Sequence, residues 1–229
     1  MSDFTESMIS SLAELGATGN GDAFRLATGA GVAWRAPEHV NGDTQAGQLA
    51  ARCVRAAAVH AHQRRKIEAD PTLTAVGKAP LLERTDREGA VALDAPHREA
   101  LAWAAAAEAA LARELEPPAL ARDDAVQALH DREARQWLSG LNLAEAIPAI
   151  TSSPALAAAI LRSPVPQPEP LIEAARRQRE LALRATDRGP HLFAAAEHGQ
   201  WLRTVAEQSL AAWSSVATRP AAPAIRAVA

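Results

Sequence analysis

Asp94-Ala-Pro-His-Arg-Glu-Ala-Leu-Ala-Trp103-Ala-Ala-Ala-Ala-Glu108-Ala-Ala-Leu-Ala-Arg-Glu-Leu115 is the stretch that decides the fold class of this chain. Alanine is the strongest helix former, and leucine, glutamate and arginine rank close behind it. No β-branched residue interrupts the stretch, so nothing in it favours a strand. Asp94 and Pro96 suit a helix start, where the missing N–H of proline does no harm, and Glu116-Pro117-Pro118 closes it. The surface of this helix is apolar nearly all round, which predicts a central, enclosed position.

The same chemistry extends outward. Hydrophobic residues make up 48% of the 229 positions but aromatics only 3%, with no tyrosine, so alanine supplies most of the apolar content. Alanine helices pack closely while burying little area each, and long contacts must compensate. The expectation is an all-α chain: an elongated Ala-rich helical bundle with a Gly-rich arm before it and a helical hairpin after it. The net charge of -3 argues against a surface held on nucleic acid by many phosphate contacts. The single cysteine, Cys53, cannot form an intramolecular disulfide, and no charged-then-apolar leader is read at the start, so a reducing cytoplasm is expected. No apolar run reaches the ~20 residues a membrane span requires.

Upstream of the deciding helix, residues 1–44 are expected to form a short helix over 2–15 and an irregular glycine-rich arm over 17–44. From Gln45 to Ala69, Leu49, Cys53, Ala56, His60 and Ile67 share one face opposite Arg52, Arg55 and His62. Asp70-Pro71 stops that helix, and a shorter one is expected from Thr72 or Thr74 to about Arg87. Downstream, Asp124 and Gln127 suit a capping box for a helix over 125–139, with Val126, Leu129, His130 and Trp137 on one seam and Gly140 as its stop. Short helices are expected at 143–147 and at 154–162, the second capped by Ser153 with Pro154 at its first position.

A helical domain over 45–162 is therefore followed by a proline-rich linker over 163–170, since alternating prolines hold the chain extended. A hairpin over 171–215 comes next, with Glu173–Arg177, Arg176–Glu180 and Glu180–Arg184 pairs on the outer face of its first arm. Its second arm aligns Leu192, Ala195, Gly199, Leu202, Ala206 and Trp213, and residues 216–229 form an extended tail.

Chemical motifs are scarce. His60 and His62 point to different helix faces, and His191 with His198 shares a face with no ligand beyond Glu197, so neither metal nor cofactor is expected. Cys53 lies on an apolar stripe, where a small core residue is expected. The run Gly16-Ala-Thr-Gly-Asn-Gly21 lacks the preceding strand of a phosphate cradle, and Gly77-Lys78 lacks the rest of a P-loop. The basic clusters Arg64-Arg65-Lys66 and Arg176-Arg177-Gln178-Arg179 lack interleaved aromatics for base stacking and read as solvated helix faces. No catalytic constellation is read. Tryptophan is enriched at binding hot spots, and Trp34, Trp201 and Trp213, with Leu202 and the small Gly199, are the interface candidates. For Trp34 and Trp213 a local staple onto their own domain is an equal alternative.

Two stretches carry a family resemblance. Arg64-Arg-Lys-Ile-Glu-Ala-Asp-Pro-Thr-Leu-Thr-Ala-Val-Gly-Lys78, continuing to Leu82-Glu83, is similar to a segment of small helical proteins encoded among the head and tail genes of tailed bacteriophages. Ala155-Leu-Ala-Ala-Ala-Ile-Leu-Arg-Ser-Pro164, with the hairpin after it, resembles their second half. The resemblance implies a non-enzymatic minor virion or assembly protein, made in the cytoplasm and carried into the particle. Its partners would be other virion proteins and copies of itself, and the resemblance brings no catalytic residue with it. A cytosolic adaptor or regulator acting through the C-terminal hairpin is the alternative, and an enzyme with an unobvious polar site is a third reading.

Overall fold

A computed structural model describes residues 18–20, 23–25, 31–32, 40, 44–117, 119–121 and 124–217. The chain is all-α. Among the described residues, the helices are α1 (Gln45–Ala69), α2 (Ala75–Leu115), α3 (Ala125–Ser139), α4 (Leu143–Ser152), α5 (Pro154–Leu161), α6 (Glu169–Arg184) and α7 (Gly189–Ala217). The arm, expected to be irregular, contains three short strands, β1 (Thr18–Asn20), β2 (Ala23–Arg25) and β3 (Gly31–Val32), paired in an antiparallel meander. Asn20 pairs with Ala23. The helix expected over 2–15 and most of the tail lie outside the described residues.

The chain divides into two compact units, one of Met1–Ala106 with Glu197–Ala229 and one of Ala107–Ala196. Both boundaries fall inside helices, α2 and α7, and neither falls at the proline run. The core of the first unit joins Leu49, Cys53 and Val54 of α1, Leu93 and Ala100 of α2, and Leu202, Val205 and Ala206 of α7. That of the second joins Leu138, Ile150, Ile160, Leu171 and Ala175. The arms of the expected hairpin thus serve different cores: the stripe of α6 packs on α4 and α5, while that of α7 supplies Leu202 and its neighbours to the first unit. The proline run turns back through Ser163, whose hydroxyl donates to Val165 O, and ends inside the first turn of α6 at Pro170.

A break is expected between Arg87 and Asp94, yet α2 runs unbroken for 41 residues with Pro80 and Pro96 inside it. Leu82, Thr85, Gly89, Leu93, Pro96, Ala100 and Ala104 recur every three or four positions and are all buried. An interior proline costs about 3 kcal/mol, while burying a single leucine returns ~1.5–3 kcal/mol, so a break that pulled this stripe off its neighbours would lose more than the proline does. Nor is the Ala-rich half enclosed: Ala102, Ala105, Ala106 and Ala109 are exposed. A methyl group carries too little area to force burial, so helix propensity alone places alanine on a surface.

Asp124 and Ser153 cap helices as the sequence reading expects, and Thr44 and Asn142 add caps that it did not name. Thr44, Asp124, Asn142 and Ser153 each accept a backbone N–H at the start of α1, α3, α4 and α5. The full reciprocal box forms at Asn142 and Glu145. At α3 the Gln127 amide donates instead to Asp131, which leaves only the Asp124 half of the expected box. The three i,i+4 pairs expected along α6 are absent among the described ion pairs. Arg176 turns to Glu169, and Arg184 lies 3.7 Å from the ring centroid of Phe193. Exposed helix pairs are worth only ~0.3–0.5 kcal/mol, too little to hold two long side chains against such competitors.

Candidate functional site: an exposed helix face and two buried charge clusters

The interface candidates of the sequence analysis are placed mostly in the interior. Gly199 and Leu202 are buried, Trp201 is 9% exposed, and all three pack inside the first unit. Trp213 is half-buried, with its ring centroid 5.8 Å from that of His60 and its indole N–H without a hydrogen-bond partner among the described residues. Trp34 lies outside the described residues. His191 and His198 gather no third ligand, and no group of three metal-binding side chains occurs among the described residues.

The first charge cluster lies where α1, α2 and α7 meet. His60 is 1% exposed, and its Nε2 stands 2.8 Å from Asp86 Oδ1. The other carboxylate oxygen of Asp86 accepts from Arg64 Nη1 at 2.6 Å. Arg64 also donates to Glu68 at 3.0 Å and to the carbonyl of Ala217 at 3.1 Å. Arg64 was expected on a solvated face, but it is buried, and the reason is periodicity. It stands one turn beyond His60 on the stripe that begins at Leu49, so the helix carries it inward, where two carboxylates compensate its charge. Only Arg65 and Lys66 of that basic cluster are exposed.

An open groove of about 540 Å³ runs beside the cluster, lined by Arg52, Ala56, Val59, His60, Gly89 and Pro96. A carboxylate beside an imidazole can orient it for proton transfer, but that chemistry also needs a reacting group. Cys53, two turns before His60 on α1, is fully buried, and burial pushes its thiol up to about 11. A thiol held protonated is a core residue in chemical terms.

The second cluster orients α3. Asp131 is 3% exposed and accepts from Arg162 Nε and Nη2, both at 2.7 Å, and from the Gln127 amide at 2.9 Å. These hydrogen bonds, led by that from Arg162, hold the Asp131 carboxyl below the usual carboxylate range. Arg135 donates to Ala159 O at 2.9 Å, so a second arginine bridges α3 and α5. Nearby in the same unit, Arg179 donates to the carbonyls of Glu114, Leu115 and Glu116 and so caps the end of α2. That role removes Arg179 from the expected solvated basic face, where Arg176 and Arg177 remain.

The Asp131 anchor has a consequence for the opposite side of α3. The seam read along this helix points outward: Val126 is 66% exposed, Leu129 52% and Trp137 54%. His130 and Glu133 lie exposed on the same face. A bidentate arginine–carboxylate pair with a third hydrogen bond cannot be left facing solvent and core at once, and it takes the inward side together with Leu138. No protein-family model, no curated protein and no solved structure matches the chain.

Among the described residues, no single helix is long and apolar enough to cross a membrane. Among the described residues, two polar clusters tie helices together and α3 presents an exposed apolar face.

Proposed function

We propose that this chain is a non-enzymatic structural or assembly protein that works by packing against other proteins, as a minor component of a tailed-phage virion. The observation that carries the packing role is the outward seam of α3, on which Val126, Leu129 and Trp137 are each more than half exposed on a capped and doubly anchored helix. Exposed apolar patches on an otherwise well-packed surface mark contact sites, and a central tryptophan is the commonest hot spot in them. The polar contacts between helices support the same reading, because His60, Arg64, Asp86, Asp131 and Arg162 all bind helix to helix. The virion setting rests on the likeness of residues 64–83 and 155–164 to small phage head and tail proteins. The test is to purify particles released from the producing cell and count copies of the chain per particle by quantitative mass spectrometry. A constant copy number supports the role, and particles that form normally without the chain contradict it.

A further inference from the structure

The exposed face of α3 is self-complementary. Along the seam, Val126, His130, Glu133 and Trp137 fall within about one quarter of the helix circumference at 100° per residue. The pair Val126 and Trp137 and the pair His130 and Glu133 share one midpoint, between residues 131 and 132. A two-fold axis through that midpoint sets Val126 of one copy opposite Trp137 of the other, twice. It also sets His130 opposite Glu133, twice, a donor or cation against a carboxylate. This is the requirement of an isologous interface, in which residue i meets j and j meets i.

We infer that the partner of this face is a second copy of the same chain, joined by antiparallel pairing of α3. The inference rests on the packing role proposed above and names its first partner. The charge pattern favours self-pairing over a mixed partner, because the face offers one acidic and one basic position in mirror order about its centre. One pair of 15-residue helices covers less than the ~800 Å² per partner of a stable complex, so the dimer is weak and depends on concentration. In a particle, high local concentration would populate it.

The test is sedimentation of the full chain from low to high micromolar concentration, with far-ultraviolet circular dichroism confirming the fold of each variant. The wild type is expected to shift from monomer to dimer across that range. His130→Glu sets two carboxylates against each other and should weaken the dimer about tenfold or more, as like charges in an interface do. His130→Glu with Glu133→Lys restores opposite charges and should restore the dimer. Trp137→Ala should abolish it. A wild type that stays monomeric throughout, or a dimer indifferent to all three variants, overturns the inference. If the chain stays monomeric while particles still carry it in constant copy number, the self-pairing fails and the assembly role stands.

Discussion

A β-carbon placed on Gly89 would stand 2.5 Å from Cδ2 of His60. The same atom would lie 3.0 Å from the indole nitrogen of Trp213. Gly89 sits mid-helix, where alanine would ordinarily be better by about 1 kcal/mol. Here the close approach of α2 to a ring that is itself held by Asp86 reverses the sign. Gly89→Ala is expected to destabilise the first unit by about 1–3 kcal/mol, the range for overpacking a tight core. Thermal unfolding reads it directly: a melting temperature raised by the alanine would show that helix propensity outweighs the contact.

Asp131 and Arg162 should behave as a buried pair. With side chains 3% and 13% exposed, loss of one partner strands the other, and Asp131→Asn is expected to cost about 3–5 kcal/mol. Because the Asp131 carboxyl is held below its ordinary value, its contribution is complete above the unfolded value of about 4 and disappears as pH falls through the lower folded value. Urea unfolding at neutral pH and below pH 4 should therefore show the variant and the wild type converging in acid. A gap that stays constant with pH would place the loss elsewhere.

The Cys53 thiol should be inert in the folded chain. Burial raises it to about 11, so at pH 8 it is protonated as well as inaccessible. A thiol whose folded value lies above its unfolded one adds stability that is complete below about pH 8.5 and is lost as pH rises toward the folded value. Ellman's reagent should label less than a tenth of the chain within the time that labels it fully in guanidinium, by the thiolate fraction alone. Rapid labelling of the native protein would show that α1 opens at Cys53.

Arg179 ends α2 by donating to three carbonyls that the helix leaves unsatisfied, at 3.2, 2.8 and 3.0 Å. Hydrogen bonds from a charged donor are worth ~1.5–3 kcal/mol where solvent is partly excluded. Arg179→Ala is expected to lower stability by about 1–2 kcal/mol and to speed hydrogen exchange over the last turn of α2. Lysine should rescue little of it, since one ammonium cannot span the three acceptors as the guanidinium does. Full rescue by lysine would mean that charge, and not geometry, supports the helix end.

Much of this architecture was legible because it rests on local chemistry. Asp124 and Ser153 stand where short polar side chains satisfy open N–H groups, and each caps a helix. The α1 stripe from Leu49 through Cys53 to His60 is buried as its spacing implies. What was not legible is the direction in which a face points once charges compete for the interior. Nothing in the local sequence sets Asp131 apart, and it is Arg162, 31 residues away, that turns it inward and the Val126–Trp137 seam outward. Arg64 carried a usable signal, its place on the His60 stripe, which a reading of the basic cluster as a unit obscured. The continuity of α2 through Pro96 depended on a tertiary stripe, and no local rule carries that information.

The most direct measurement compares tagged wild type with Val126→Glu/Trp137→Glu, both purified from the native cellular context and both checked for helicity. The account predicts that virion proteins accompany the wild type in constant ratio and that the double variant, folded but charged on the α3 face, loses them. Retention of the same partners at the same ratio by the folded variant would contradict it, and the outward seam would then be surface without a role.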